Sequence, residues 1–241
     1  MFINKFNIKT TYDIKNNYED NEILLLHKFD DNYIKEIFIE LPTKLAIEHG
    51  ISNMKYVRGN SNLNFISNKF QIKIKINDET MNGYEQKVIS KIDKYKYDYK
   101  FISNKSYIKK FYKGQIKQIL SDNELKKLIK EIKNIHSINS DELISYDVDL
   151  PGKKVFCHGD LRPKNVIVSD EIKLIDFEWA RKNSLYWDLA SIIVNYKLGI
   201  KQKNLLIKEY GNIDKNSLNI SINEVVRINS KFDEKKYYKI K

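Results

Sequence analysis

Two short segments in the second half of the chain combine side chains that accept protons with side chains that bind hard cations. Residues 157–165 read Cys-His-Gly-Asp-Leu-Arg-Pro-Lys-Asn and place Asp160 and Asn165 five positions apart. Residues 173–179 read Lys-Leu-Ile-Asp-Phe-Glu-Trp and contain Asp176. One carboxylate can orient a hydroxyl and accept its proton, while an amide and a second carboxylate supply the oxygen ligands that Mg²⁺ prefers. The chemistry that needs this set is phosphoryl transfer.

A hairpin is expected to bring these groups together. Residues 165–168 and 173–177 are rich in Val, Ile and Phe, and the Ser-Asp-Glu sequence between them is typical of a turn. Because Asn165 opens the first strand and Asp176 ends the second, both should lie at one rim with Asp160. The alternative, in which Asp160 caps a turn and Asp176 merely ends a strand, requires three coincidences at once.

Upstream of this region, the sequence predicts a small β-sheet. The run Phe-Gln-Ile-Lys-Ile-Lys-Ile over residues 70–76 alternates strictly, so its apolar side chains should face a core while Lys73 and Lys75 share the other face. Further strands are expected over residues 55–58, 62–67, 97–102 and 106–111, with a helix over 85–92.

Helices dominate the predicted structure after about residue 114. Ser121 and Glu124 fit a capping box, and an apolar stripe at i, i+3, i+4 and i+7 follows them. Further helices are expected over residues 187–196 and 204–210, ended by Gly199 and Gly211. One or two short helices are also expected over residues 33–50, broken by Pro42 and ended by Gly50.

This order of elements predicts an α+β protein. We expect residues 1–50 to form an N-terminal extension or cap, residues 51–113 to form a sheet-bearing part, and residues 114–241 to form a mostly helical part that contains both chemical segments.

Composition excludes several classes of protein. The chain is 41% hydrophobic, which argues against a wholly disordered chain, and its single cysteine, Cys157, excludes an internal disulfide and a cysteine-cluster metal site. We therefore expect a reducing, cytoplasmic setting. Apolar runs are too short for a membrane span, and the first ten residues do not resemble a signal peptide.

The net charge of +11 comes mainly from lysine, because only four of the 43 basic residues are arginine. The lysines are interleaved with Ile, Asn and Tyr along the whole chain, which favours a solvated surface over a nucleic-acid-binding stripe. We expect no nucleic-acid partner.

The two segments together resemble a known superfamily. His-x-Asp-x-x-x-x-Asn followed by Ile-Asp-Phe is similar to the catalytic loop and metal-binding segment of protein-kinase-like enzymes. Gly159, in place of the protein-kinase arginine, resembles the aminoglycoside phosphotransferase and choline kinase group, which phosphorylates small molecules. Glu178 and Trp179, together with Trp-Asp-Leu-Ala at residues 187–190, are most similar to the choline/ethanolamine kinase branch.

This resemblance implies a two-lobed protein-kinase-like fold, with a small β-rich N-lobe, a mostly helical C-lobe, and ATP and Mg²⁺ as cofactors. Asp160 would be the catalytic base, and Asn165 and Asp176 would bind Mg²⁺. Arg162 is placed to neutralise charge on the transferring phosphate. Asp188 resembles a structural partner of the catalytic loop.

The resemblance also extends into the predicted sheet. Residues 57–65 resemble the phosphate-covering loop of bacterial choline kinases, and Glu85 matches a helix glutamate that pairs with an ATP-contacting lysine. The implied nucleotide contacts are Ser61, Asn62 and Lys75, with Lys73 as a rival to Lys75 on the same strand face.

The acceptor implied by the resemblance is choline or a related amino-alcohol. Glu178 and Trp179 are candidates for binding a cationic substrate, the tryptophan through cation–π attraction. An aminoglycoside or a sugar-like molecule is the second possibility. A nucleotide-binding pseudokinase is the third, because only Gly59 remains of the usual glycine pair. The sequence does not determine the oligomeric state.

Overall fold

A computed structural model of the protein describes residues 40–51, 54–57, 62–75, 81–103, 106–145 and 148–238. These residues form two compact units. One contains the described residues up to Gln86 together with Tyr95–Phe111, and the other contains Lys87–Lys94 and the described residues from Tyr112 onwards. The boundaries expected after residues 50 and 113 stay predictions, and most of the expected N-terminal extension lies outside the described residues.

The first unit contains a five-stranded sheet in the order β1-β2-β3-β5-β4, in which all neighbours are antiparallel. Its core includes Leu63, Phe65, Ile72 and Ile74, all buried. The elements are α1 (Leu41–Glu48), β1 (Lys55–Val57), β2 (Asn62–Ile66), β3 (Phe70–Lys75), β4 (Tyr99–Phe101), β5 (Ser106–Lys110) and the start of α2 (Met81–Ser90).

Pro42 lies at the start of α1, and the predicted break there involves residues 33–39, which lie outside the described residues. Pro42 is in the first turn of α1, where a backbone N–H has no partner within the helix, so its missing donor costs no hydrogen bond. Gly50 follows the helix at φ 60°, in the left-handed region that favours glycine.

The second unit combines helices with two small antiparallel strand pairs, β6–β9 and β7–β8. Single 3₁₀ turns at Pro163–Asn165 and Phe177–Trp179 precede β7 and β9. Its elements are α3 (Asp122–His136), β6 (Lys154–Cys157), β7 (Val166–Val168), β8 (Ile172–Leu174), β9 (Arg181–Ser184), α4 (Leu185–Asn195), α5 (Ile200–Tyr210) and α6 (Lys215–Tyr238).

The expected capping box is present at the start of α3. Ser121 Oγ accepts from the backbone N–H of Glu124 at 3.3 Å, and Glu124 Oε2 accepts from the backbone N–H of Ser121 at 2.8 Å. A hydrogen bond from Lys117 and the bond from Ser121 lower the pKa of Glu124 to about 2. Leu125, Leu128 and the rest of the predicted stripe are buried.

We expect Ser121→Ala to lower the free energy of unfolding by about 1 kcal/mol, because one helix N–H loses its acceptor. Urea denaturation followed by circular dichroism measures this change. Asn123→Ala, at an exposed position of the same turn, is the control and should not destabilise the protein. Equal stability of Ser121→Ala and the parent protein would show that the cap contributes nothing.

Gly199 does not end α4 as expected. This helix ends at Asn195 with Tyr196 as its C-cap, and Lys197 follows in the left-handed conformation at φ 52°, while Gly199 is the N-cap of α5. The left-handed residue after the helix is therefore a lysine and not the predicted glycine. Gly211 ends α5 at φ 79°, as predicted. Among the described residues, no helix has the length and apolar character needed to cross a membrane.

Candidate active site

Three of the predicted site residues in the second unit, Asp160, Arg162 and Asn165, lie on one loop, residues 158–165, between β6 and the β7–β8 hairpin. The loop turns at Gly159, which has φ 85°. A Cβ atom at this position would overlap the carbonyl oxygen of Trp179. Glycine therefore lets the 158–165 loop approach the turn that follows Asp176, which a side chain at residue 159 would prevent.

Asp160 is held on both carboxylate oxygens. The Asn165 amide donates to Asp160 Oδ2 and to the Asp160 carbonyl, both at 2.9 Å, and Arg162 Nε lies 2.8 Å from Asp160 Oδ1. The Asp160 side chain is 17% exposed and that of Arg162 is 41% exposed, so a small molecule can reach both. The structure thus brings together three of the predicted site residues.

Asp176 follows β8 and takes the left-handed conformation, with φ 68° and ψ 63°. This conformation is uncommon for a residue other than glycine and is often found where function requires it. The neighbouring Ile175 donates its N–H to the Asn165 carbonyl at 3.0 Å, and its own carbonyl lies 3.0 Å from His158 Nε2. These bonds fasten the Asp176 backbone to both ends of the 158–165 loop.

A buried carboxylate, Asp188 on α4, anchors the start of the same loop. It accepts the backbone N–H groups of His158 at 2.8 Å and Gly159 at 3.0 Å, and His136 Nε2 lies 3.2 Å away. Burial alone would raise the pKa of Asp188, but the hydrogen bond and charge of His136 and the nearby His158 outweigh burial, so the pKa lies below its ordinary value. Asp188 is therefore an ionised anchor.

His136, Cys157 and Asp188 place their ligand atoms within 4.8 Å of one another, which would suit a metal ion. Burial raises the pKa of the Cys157 thiol well above its usual value, and Sγ lies 3.3 Å from the Ser184 carbonyl. His136 Nδ1 is 2.7 Å from the Tyr210 hydroxyl. Because all three side chains already take part in hydrogen bonds, with Ser184, Tyr210 and the backbone of the loop, we assign this cluster as a hydrogen-bonded support of the loop.

In the first unit, Lys73 forms the ion pair that the sequence analysis assigned to Lys75. Lys73 Nζ lies 3.8 Å from Glu85 Oε2, and the two side chains are 6% and 0% exposed. Tyr107, opposite Lys73 on β5, donates to Glu85 Oε1 at 3.3 Å and places its ring 5.7 Å from Lys73 Nζ. Among the described side chains, Glu85 is therefore paired with Lys73, the rival of Lys75 in the sequence analysis, and the predicted pairing with Lys75 stays a prediction.

The two lysines differ in their position in β3. Lys73 lies inside the strand, between β2 and β5, whereas Lys75 is its last residue. Asn62, a predicted nucleotide contact, is buried at the start of β2, where its backbone pairs with Lys75. The predicted role of Ser61 and the side chain of Lys75 lie outside the described residues.

Glu178 and Trp179, the predicted substrate residues, lie in the 3₁₀ turn directly after Asp176. Trp179 is 42% exposed. The Arg181 guanidinium lies 5.3 Å from the centre of its ring, at cation–π distance. Sequence reasoning missed Arg181, although a basic residue two positions after an aromatic one was a visible signal. One face of the predicted cation-binding ring is thus already occupied by a cation of the chain.

A comparison with protein families finds a match, and it lies in the second unit. Residues 119–216 match the model of the phosphotransferase enzyme family, APH. Residues 119–216 of the second unit therefore resemble an APH phosphotransferase domain. The match includes the whole 158–165 loop as well as Asp176 and Asp188, so the kinase-like resemblance is confirmed. No protein with a curated description matches the chain.

Solved structures share the fold of this chain. The choline kinase LicA from Streptococcus pneumoniae matches at 14% identity over 76% of this chain and 84% of its own, with a TM-score of 0.58. A choline/ethanolamine kinase family protein from Mesorhizobium loti matches at 15% identity over 71% and 74%, with a TM-score of 0.53. A complex of streptomycin, ATP and APH(2″)-IIa matches at 15% identity over 78% and 92%, with a TM-score of 0.62.

The expected fold class is confirmed by these likenesses, because the chain has the mixed α and β architecture of kinase-like phosphotransferases. Both choline kinases and aminoglycoside phosphotransferases are among the similar structures. Fold similarity therefore does not identify an acceptor.

Proposed function

We propose that the protein is a small-molecule kinase that transfers the γ-phosphoryl group of ATP to an acceptor hydroxyl. The observation that carries this proposal is the paired Asp160 and Asn165 on the 158–165 loop, joined through Ile175 to the backbone of Asp176. That arrangement, inside the region that resembles an APH domain, supplies a base and metal ligands at one place. The bound ATP of the similar APH(2″)-IIa complex supports ATP as donor.

Each residue has a defined task in this proposal. Asp160 orients the acceptor hydroxyl and takes its proton, and the half-exposed Arg162 stabilises charge on the transferring phosphate. Asn165 and Asp176 would hold Mg²⁺, which neutralises phosphate charge when bound. The Asn165 amide nitrogen faces Asp160, so its side-chain oxygen points away from Asp160. An amide oxygen together with a carboxylate is a set of ligands that fits Mg²⁺.

In the first unit we propose Lys73, not Lys75, as the lysine that contacts the ATP phosphates, because Lys73 is the one fixed by Glu85. Ser61 and Asn62 remain proposed phosphate contacts. We expect Lys73→Met to lower kcat/KM for ATP by on the order of 10²-fold, since a preorganised charge at the phosphates is lost. Lys75→Met is the matched control and should have a much smaller effect. Steady-state kinetics with varied ATP measures both.

Lys73→Met also leaves Glu85 buried without this cation, which can destabilise the protein. The double variant Lys73→Met/Glu85→Gln removes that charge and should recover thermal stability without recovering ATP use. If kcat/KM recovers along with stability, Lys73 is structural and the nucleotide role returns to Lys75.

We propose choline or a related amino-alcohol as the first acceptor to consider. The resemblance of residues 175–180 and 187–190 to the choline/ethanolamine kinase branch supports this, as does the exposed Trp179 beside Glu178. An aminoglycoside or sugar-like acceptor is the second candidate. The observation that favours it is Arg181 on the Trp179 ring, because a quaternary ammonium group would have to displace Arg181 or use the other face.

The test is ADP release from Mg²⁺-ATP with a panel of choline, ethanolamine, thiamine, simple sugars and kanamycin, with Asp160→Ala in parallel. Choline-stimulated turnover that Asp160→Ala abolishes supports both mechanism and acceptor. Stimulation only by a sugar or kanamycin retains the mechanism and rejects choline. ATP binding without stimulated turnover by any compound would favour the nucleotide-binding pseudokinase instead.

A further inference from the structure

The C-terminal helix α6 is connected to the 158–165 loop by two asparagine side chains. Asn195, the last residue of α4, donates its amide to the Leu161 carbonyl at 3.1 Å, and its side-chain oxygen accepts from the amide of Asn229 at 3.1 Å. Leu161 directly follows Asp160. The chain of contacts therefore runs from α6 to the residue next to the proposed base.

The direction of both hydrogen bonds follows from chemistry. A backbone carbonyl only accepts, so Asn195 must turn its NH₂ group toward Leu161. The Asn195 oxygen is then fixed toward α6, and Asn229 must act as the donor. By donating to that oxygen, Asn229 stabilises the amide orientation in which Asn195 holds the loop.

Packing between α4 and α6 keeps the two asparagines together. Val225 of α6 lies in one buried cluster with Trp187 and Ala190 of α4, and Ile222 and Ile228 pack against that cluster. The same cluster contains Cys157, at the end of β6 where the 158–165 loop begins. The helix α6 therefore packs close to the point where the 158–165 loop begins, and Asn229 is partly buried there.

We propose that Asn195 and Asn229 are positioning residues that fix the Asp160 segment of the 158–165 loop, an inference that rests on the proposed kinase function. The Leu161 side chain is buried, and the Arg162 N–H bonds to the Asp160 carbonyl at 2.9 Å. With the Leu161 carbonyl held by Asn195, the backbone on the C-terminal side of Asp160 has little freedom. Asp188 performs the same task on the N-terminal side.

Asn229→Asp tests this inference, because a carboxylate only accepts hydrogen bonds. Asn195 would have to turn its NH₂ toward α6 and present its oxygen to the Leu161 carbonyl. We expect kcat to fall about three- to tenfold with KM for ATP unchanged, and amide hydrogen exchange in residues 158–165 to accelerate. Asn229→Ala leaves Asn195 free to keep its orientation and should have a smaller effect on both quantities.

Asn223→Asp is the matched control, since it makes the same charge change at an exposed position of α6. Loop exchange and kcat in Asn223→Asp should equal those of the parent protein at the same thermal stability. If Asn229→Asp behaves like Asn223→Asp in either loop exchange or kcat, the inference is wrong. Should the parent protein phosphorylate no acceptor, the proposed function fails, and loop exchange alone still decides whether the asparagines hold the loop.

Discussion

Asp160→Asn is expected to lower kcat by about 10²- to 10⁴-fold with the best acceptor and to leave KM for ATP nearly unchanged. The substitution keeps the shape of the side chain but removes its ability to take a proton from the acceptor hydroxyl. The nucleotide should still bind, because the proposed ATP contacts lie on other residues. The loss should therefore appear in the chemical step, which single-turnover measurement of product formation reports directly.

The structural cost of Asp160→Asn should be modest, because the amide oxygen of the new side chain can still accept from the Asn165 amide and only the contact with Arg162 is lost. Its ion-pair partner Arg162 is 41% exposed, and water screens pairs of this kind. Asp170→Asn, at an exposed position of the turn between β7 and β8, makes the same chemical change outside the site and should keep parental kcat. If Asp160→Asn retains more than about a tenth of parental kcat, a role as general base is excluded.

The chemistry of the site was readable from sequence because it depends on local spacing. Asp160 and Asn165 lie on one loop, and the β7–β8 hairpin carries the chain back to Asp176 within a few residues. The capping box at Ser121 is likewise local. Such features depend on residues close in the chain, so pattern alone predicts them.

Local sequence could not predict whether Lys73 or Lys75 pairs with Glu85. A two-residue period places both amines on one face of β3, and only the three-dimensional position of Glu85 on α2 selects between them. The contact between Asn195 and Asn229 joins residues 34 positions apart. No local pattern marks such a pair.

The helix α6 was missed, although its signals were present. Asp214 Oδ2 accepts from the Ser217 backbone N–H at 2.8 Å, as a helix-capping aspartate does. Leu218 and Val225 are buried and lie seven residues apart, which is a helical period. A search for an acidic cap before an apolar stripe would have found it.

Asp188→Asn is expected to lower the free energy of unfolding by about 3–5 kcal/mol, the usual cost of removing one member of a buried charged group. Asp188 accepts from the backbone N–H groups of His158 and Gly159 and contacts His136. An amide can accept on one oxygen only, so its NH₂ group would face another donor. Urea denaturation measures the loss, and Asp149→Asn, at a fully exposed aspartate, is the matched control.

The effect of Asp188→Asn should depend on pH in a defined direction. The pKa of Asp188 in the folded protein lies below the ordinary 3.8, so its ionised form stabilises the fold at any pH above that value. This contribution is lost as the pH falls through 3.8 and below. The stability difference between the parent protein and Asp188→Asn should therefore be full at pH 7 and shrink in acid, and a difference independent of pH would contradict an ionised anchor.

Asp188→Asn also distinguishes a residue that holds the 158–165 loop in place from a residue that takes part in the reaction. Because Asp188 holds the two residues that precede Asp160, Asp188→Asn should lower kcat even where the protein is fully folded. Removing the anchor leaves the proposed base and metal ligands in place, so some activity should remain, in contrast to Asp160→Asn. Kinetics at a temperature well below the melting point of the variant distinguishes the two. Parental kcat in folded Asp188→Asn would mean that the loop keeps its geometry without this carboxylate.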